Sequence, residues 1–201
     1  MGGAERPATR VRDDARERIL STAYGLFCAH GTRAVGVDRV ISEAGVAKMS
    51  MYRHFRSKND LILAVLERRR LLWTEGWVQA EVAGRATEPA EQLLAIFDIF
   101  DEWFRKPGFE GCTFINVLLE VTDREHAVHQ SSREHLRVIR EFVRGLAEAA
   151  GVRDPEMFAR QWHILMKGSI VAAGEGDVDA ARGARLVGAL LLEQELAAAR
   201  A

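Results

Sequence analysis

The sequence predicts an all-α protein. A small N-terminal three-helix bundle carrying a helix-turn-helix is joined by a long helix to a larger C-terminal helical bundle, about nine helices in all. Three observations predict this. Apolar residues recur at spacings of three and four along most of the chain, and no stretch holds the period of two that a strand requires. The breaks between periodic stretches carry Gly, Pro and capping residues where helices stop and start. Within residues 36–61, two short apolar-periodic stretches flank a glycine turn, the arrangement in which a second helix enters the DNA major groove.

In chain order, residues 1–11 carry Gly, Pro and Arg without periodicity and read as a disordered tail. Arg6, Arg10 and the adjoining Arg12 are candidates for phosphate contact, against the simpler reading of a solvated arm. Ile19, Leu20, Ala23 and Phe27 form the stripe of a first helix over about 13–30, with Asp13 and Asp14 at its positive end and Gly31 as its stop. Val37, Val40, Ile41 and Ala44 make the second helix, closed by Gly45. The third runs from about Ala47 to Phe55, with Met51 and Phe55 facing inward. Ser57, with Asp60 three residues on, reads as an N-cap. A helix of about 25 residues then runs from Lys58 past Leu66, Leu72 and Trp77 to about Ala83, longer than the small bundle can cover, so it bridges two domains.

After the break at Gly84–Thr87, Pro89 opens a helix carrying Leu93, Ile96, Phe97, Phe100 and Phe104, ended by Lys106-Pro107-Gly108. A shorter apolar helix covers Thr113 to about Val121, and another runs from near Asp123 to Ala150. Gly151, Asp154 and Pro155 mark the next junction. The last two helices span Pro155 to about Ala173 and about Val178 to Ala199. The resulting division is a tail over 1–11, a DNA-binding domain over 12–57, and a ligand-binding and dimerisation domain over 58–201.

The net charge of −1 conceals an asymmetry. Residues 1–60 hold 11 Lys+Arg against 7 Asp+Glu, and residues 61–201 hold 17 against 22. A basic N-terminal part fits a nucleic-acid contact there. Cys28 and Cys112 lie far apart without a CxxC pair, so neither a zinc site nor a disulfide framework is suggested, and a reducing cytoplasm is expected. The longest run without a charged residue, Ile19 to Thr32, is too short to span a membrane, and no secretion leader is read.

Lys48 sits in the first turn of the third helix, where it can donate to guanine O6 and N7. Met49, Ser50, Arg53, His54 and Tyr52 share the outward side. The block formed by Ala44-Gly45-Val46, Tyr52-Arg53-His54-Phe55, Ser57-Lys58 and Asp60-Leu61 resembles the tetracycline-repressor-like (TetR) regulators. The resemblance implies that Lys48, Met49 and Ser50 read bases or adjacent phosphates, and that Tyr52, His54 and Lys58 hold phosphates. It also implies a small-molecule effector in the larger domain, a homodimer, and a palindromic DNA operator. The sequence departs from the family pattern at Val35 and Gly36, where capping hydroxyls usually contact the backbone, at Ala47 in place of a Ser or Thr cap, and at Met49 in place of Gly. Gly36 remains a candidate DNA contact.

For the ligand, the aromatics Trp73, Trp77, Phe100, Trp103, Phe104, Phe114 and Trp162 are expected on facing helices, with Cys112 and Met166 among them. Asn116 and Glu120, four apart on an otherwise apolar segment, are the polar candidates, since a buried carboxylate needs a partner. The plainer reading is a filled core, with Glu120 held by an arginine or lying at the edge of the bundle. The last two helices carry more apolar surface than a monomer hides, and Ile170, Leu186, Ala189 and Leu190 are the expected dimer interface. His126 and His129 have a spacing compatible with metal, but such pairs are common on exposed helices; no metal and no cofactor is expected. No catalytic signature is present, so the chain is read as a ligand-responsive repressor rather than an enzyme. The alternatives are a helical small-molecule-binding protein or enzyme with a vestigial helix-turn-helix, and a protein–protein adaptor.

Overall fold

A computed structural model describes residues 7–199, with side chains from residue 14 onward. Residues 1–6, including Arg6 of the tail, lie outside it, as do the side chains of Arg10 and Arg12. Regular structure is entirely helical among the described residues, as expected. The chain divides into two compact units. One holds residues 7–69 with 113–132, the other residues 70–112 with 133–199.

In the first unit, α1 (Pro7–Ala34) begins inside the stretch read as a tail. It buries Ile19, Ala23 and Phe27 and is interrupted at Gly31, whose φ of 76° and ψ of 163° belong to a region that essentially only glycine occupies. A Cβ there would also collide with the Glu120 carboxylate. Helix α2 (Val37–Ala44) ends at Gly45 in the left-handed conformation, φ 61° and ψ 43°. Its last carbonyls are satisfied from Gly45 N–H to Ser42 at 3.2 Å and from Val46 N–H to Ile41 at 3.3 Å, a Schellman-type stop. Helix α3 (Lys48–His54) follows after three residues, and α4 (Lys58–Arg69) starts where Ser57 Oγ accepts from Asp60 N–H at 3.1 Å. Helix α7 (Thr113–Glu120) packs on α1 and α4 in this same unit.

In the second unit the long helix expected from Lys58 to about Ala83 changes character. Arg70–Gln79 is π-helical and is followed by α5 (Ala80–Arg85). Trp73 and Val78 are both buried and lie five apart, a spacing that an i→i+5 turn aligns on one face and an α-turn does not. Gly76 suits the wider turn, because a Cβ there would lie 2.8 Å from the Leu71 carbonyl oxygen. Helix α6 (Pro89–Phe104) supplies the centre of the core, against α10 (Ala180–Ala198) and α9 (Pro155–Gly174). Asp154 caps α9 by accepting from Met157 N–H at 3.0 Å.

Helix α8 (Ala127–Ala149) starts later than the expected Asp123. Asp123 instead accepts from Glu125 N–H through its side chain at 3.0 Å and from His126 N–H through its carbonyl at 3.2 Å, a local turn that competes with the helix. The segments 58–69, 70–79 and 80–85 are contiguous, so nine separate helical segments are present among the described residues.

Candidate functional site

The short helix α3 is held from below. Met51 is fully buried and Phe55 nearly so, and their burial fixes which side of the helix faces outward. On that outward side Met49 is 77% exposed and Tyr52 44%, with Lys48 and Arg53 also exposed and Ser50 and His54 partly so. Gly36 is exposed as the N-cap of α2, and Lys58 is half-exposed in the first turn of α4. Neither Gly36 nor Ala47 supplies a side-chain acceptor to the helix that follows, although the Ala47 carbonyl accepts from Ser50 N–H at 2.8 Å.

Three features of this surface have only partial signals in sequence. Lys48 Nζ stands 3.4 Å from Asp38 Oδ1, a weak exposed pair that orients the lysine. Arg39 bonds Glu43 at 2.8 Å, which its i,i+4 spacing announces, and stands 3.3 Å from His30 Nε2, which no spacing announces. Arg33 and Arg56 are exposed in the turns flanking the motif, findable only as basic residues close to it.

The candidate pocket residues fall into three groups. Trp73, Trp77, Phe100, Trp103 and Phe104 converge in the second unit. Trp73 lies 5.1 Å from Trp103, 5.6 Å from Trp77 and 6.2 Å from Phe100, centroid to centroid, and Phe109 joins at 4.9 Å from Trp103. The rings are tilted or edge-on to one another, the geometry of packed aromatics. Trp77 is half-exposed, with Lys106 Nζ 5.3 Å from its ring centroid. Trp162 forms a second group, fully buried, 5.2 Å from Phe97 and stacked 5.0 Å from Phe158. A Cβ on Gly188 would lie 2.9 Å from its ring. Met166 and Cys112 are buried in this unit as well.

The third group corrects an expectation. Phe114, Asn116 and Glu120 sit on α7 in the first unit, packed with α1 and α4. Phe114 is buried, but Asn116 is exposed. Glu120 accepts from the Thr32 N–H at 2.9 Å and from the Thr32 hydroxyl, closing the turn after Gly31. Its partner is therefore a backbone turn 88 residues away, not an arginine. Thr113 Oγ1 stands 3.4 Å from Cys28 Sγ, where α7 meets α1.

His126 lies 3.0 Å from the Asn59 side-chain amide, and His129 Nδ1 lies 2.6 Å from the Val121 carbonyl oxygen. Among the described residues no three His, Cys, Asp or Glu side chains gather to hold a metal, and no helix is long and apolar enough to cross a membrane.

Charged groups on the second unit are mostly paired. The Asp101 carboxyl is held below its usual range by its hydrogen bond from Arg105, with Arg182 adding. Burial pushes His163 down to about 3, helped by the charges of Lys167 and Arg140.

Of the expected interface residues, Leu186 and Leu190 are each 68% exposed and Ala189 is half-buried. Ile170 is 6% exposed and is buried within the chain itself. The exposed line of α9 is Met157, Ile164 and Val171, seven apart, whereas Ile170 belongs to the inward line with Ala159, His163 and Met166.

Comparison with known proteins matches two sequence families. Residues 19–65 match bacterial regulatory proteins of the tetR family, and residues 89–186 match the tetracyclin repressor-like C-terminal domain. Among solved structures, a TetR-family transcriptional regulator from Streptomyces coelicolor is 30% identical, with 92% of this chain and 97% of that one covered and a TM-score of 0.82. Among curated relatives, the HTH-type transcriptional activator FasR of Mycolicibacterium smegmatis is 42% identical over 67 residues, 33% of this chain and 31% of FasR. The HTH-type transcriptional repressor KstR2 of the same organism is 34% identical over 91 residues, 45% of this chain and 41% of KstR2. The chain thus spans less than half the length of these two relatives.

Proposed function

Because the chain belongs to the tetracycline-repressor (TetR) family, we propose that it is a sequence-specific DNA-binding transcriptional regulator. It works as a homodimer on a palindromic operator and acts as a ligand-responsive repressor. The observation that carries this reading is the outward side of α3, where Lys48, Met49, Tyr52 and Arg53 are exposed on a helix anchored by buried Met51 and Phe55. Lys48 suits guanine and Met49 a thymine methyl, while Tyr52, His54 and Lys58 suit phosphates.

The exposed apolar line of Leu186, Val187 and Leu190 on α10, beside Ile164 and Val171 on α9, supports an isologous dimer. Two copies then present two α3 helices to half-sites about 34–36 Å apart, or a multiple of that. The second unit, with its aromatic clusters, receives a small effector. Effector and operator are linked by a coupling of about 1–3 kcal/mol, acting on two states that bind each of them unequally. The names of the two curated relatives point to opposite signs of regulation, so a promoter-reporter assay is the check on repression.

Fluorescence anisotropy on duplexes selected from random DNA, at two salt concentrations, tests the reading. Expected is a palindrome bound in the nanomolar range, with random DNA weaker by about 10³ or more. Failure to select any sequence, or binding that vanishes with moderate salt, overturns it.

A further inference from the structure

Lys48 opens α3, and Asp38 lies in the first turn of α2. Their side-chain ends meet on the outside of the motif. Lys48 Nζ donates to Asp38 Oδ1 at 3.4 Å, and the two side chains are 66% and 85% exposed. An acid in the first turn of α2 suits the positive end of that helix wherever its carboxylate points. Here the carboxylate is turned toward the next helix, and Lys48 is its hydrogen-bond partner among the described residues. Arg39, the residue after Asp38, is taken by Glu43 at 2.8 Å and does not compete for it. A pair this exposed adds little to stability. Met49 and Tyr52, also exposed on α3, belong to the same outward side.

Facing DNA, this acid carries a cost. A duplex presents one phosphate charge per about 1.7 Å of its axis, so a carboxylate there weakens binding to every sequence alike unless it finds a donor. The major-groove edge of a G·C pair holds one. Guanine shows two neighbouring acceptors, N7 and O6, and cytosine shows the N4 amino donor beside them. O6 and N4 are joined by a hydrogen bond and so lie about 2.9 Å apart. An ammonium with a carboxylate 3.4 Å away complements that row of two acceptors and a donor. An A·T pair alternates acceptor, donor and acceptor instead. There the ammonium takes adenine N7 alone, and a carboxylate on N6 lies against the thymine O4 acceptor.

We propose that Asp38 is a specificity-determining residue that acts with Lys48 to read one G·C pair in each half-site. Lys48 donates to guanine O6 and N7, and Asp38 accepts from the cytosine N4 amino group. This deepens the DNA-binding reading and rests on it. The acid raises discrimination in two ways. It favours the matched pair, and its repulsion by phosphates weakens binding to sequences that lack that pair.

The test is fluorescence anisotropy of the full chain on a duplex it selects from random DNA, varied at the base pair where Lys48→Ala relaxes preference. Changing that G·C pair to A·T is expected to weaken the unaltered chain about tenfold, and Asp38→Ala about threefold or less. Asp38→Ala is expected to bind random DNA as tightly as the unaltered chain does, or more tightly. Asp38→Asn keeps a carbonyl acceptor and drops the charge, so it retains most of the discrimination. N4-methylcytosine in that pair puts a methyl group in place of the donor hydrogen, and is expected to weaken the unaltered chain about fivefold while leaving Asp38→Ala unchanged. The proposal is overturned if Lys48→Ala relaxes no position, if the relaxed position prefers A·T, or if Asp38→Ala keeps the full base preference. Equal weakening of selected and random duplexes by Asp38→Ala, or indifference of the unaltered chain to N4-methylcytosine, overturns it as well. A selected duplex whose affinity ignores Asp38 sinks this role alone, whereas failure to select any duplex sinks the regulator reading and this role with it.

Discussion

Helix α3 is seven residues long, has no side-chain N-cap, and rests on two buried side chains, Met51 and Phe55, while its exposed side carries Lys48, Met49 and Tyr52. Helix α6 is more than twice as long and buries Leu93, Ile96, Phe97, Ile99, Phe100, Trp103 and Phe104 among rings from α9 and the π-helical segment. The two helices divide labour by exposure. The exposed side chains of α3, Lys48, Met49 and Tyr52, lie outside the buried core, so their chemistry is available to a partner. Side chains on α6 touch one another, so their chemistry serves stability first, and a change there is felt throughout a close-packed interior.

Trp162→Ala should sharpen this contrast most. It removes a fully buried ring that packs on Phe97, Phe158 and the Gly188 backbone, and is expected to cost about 3–5 kcal/mol in urea unfolding. A cost below about 1 kcal/mol would mean that the cluster is not core.

His163 gives the next largest effect. Its folded value of about 3 lies below the unfolded value of about 6.5, so the unfolded chain takes up the proton first as pH falls. Stability is fully present above about pH 6.5 and declines toward pH 3, by roughly 2–3 kcal/mol at pH 4.5. His163→Gln should flatten that decline between about pH 6.5 and 5, a range above the titration of the carboxyls held low by arginine, as Asp101 and Glu102 are.

Glu120→Ala strips the buried Thr32 of its acceptor and should cost about 1–3 kcal/mol. If Asn116→Ala costs as much, the distinction drawn between these two residues fails.

On α3 the expected stability change is smallest, within about 0.5 kcal/mol. Tyr52→Phe with Lys58→Ala should weaken binding to all DNA sequences and lower the salt slope by roughly 0.9 for each phosphate no longer neutralised. Lys48→Ala should mainly relax base preference. Equal weakening on selected and random duplexes would break the assignment of Lys48 to base reading.

Most of the helical elements were legible because their signals are local. The 3.6-residue period of apolar positions, Gly31 and Gly45 at their stops, Ser57 and Asp154 at their caps, and Pro89 and Pro155 at first-turn positions are all decided within a few residues of backbone. The exposed side of α3 was legible for the same reason, because Met51 and Phe55 alone set its facing. Three features were not legible, and each depends on residues far apart in sequence. The π-helical turn at Arg70–Gln79 follows which side chains the core buries, and α-helical and π-helical patterns differ by one residue per turn. Glu120 finds Thr32 across 88 residues. His163 reads as one more polar residue on a helix until its ring is seen to be buried, which disfavours its protonated form.

The sequence by itself thus determined the class of fold, the order of its helices and the exposed side of the short helix proposed to face DNA, since those follow from short-range periodicity and backbone conformation. Only the tertiary structure decided which polar groups are desolvated and what they meet. The cost of burying a charge or an amide depends on neighbours brought together by packing, and no spacing along the chain encodes them.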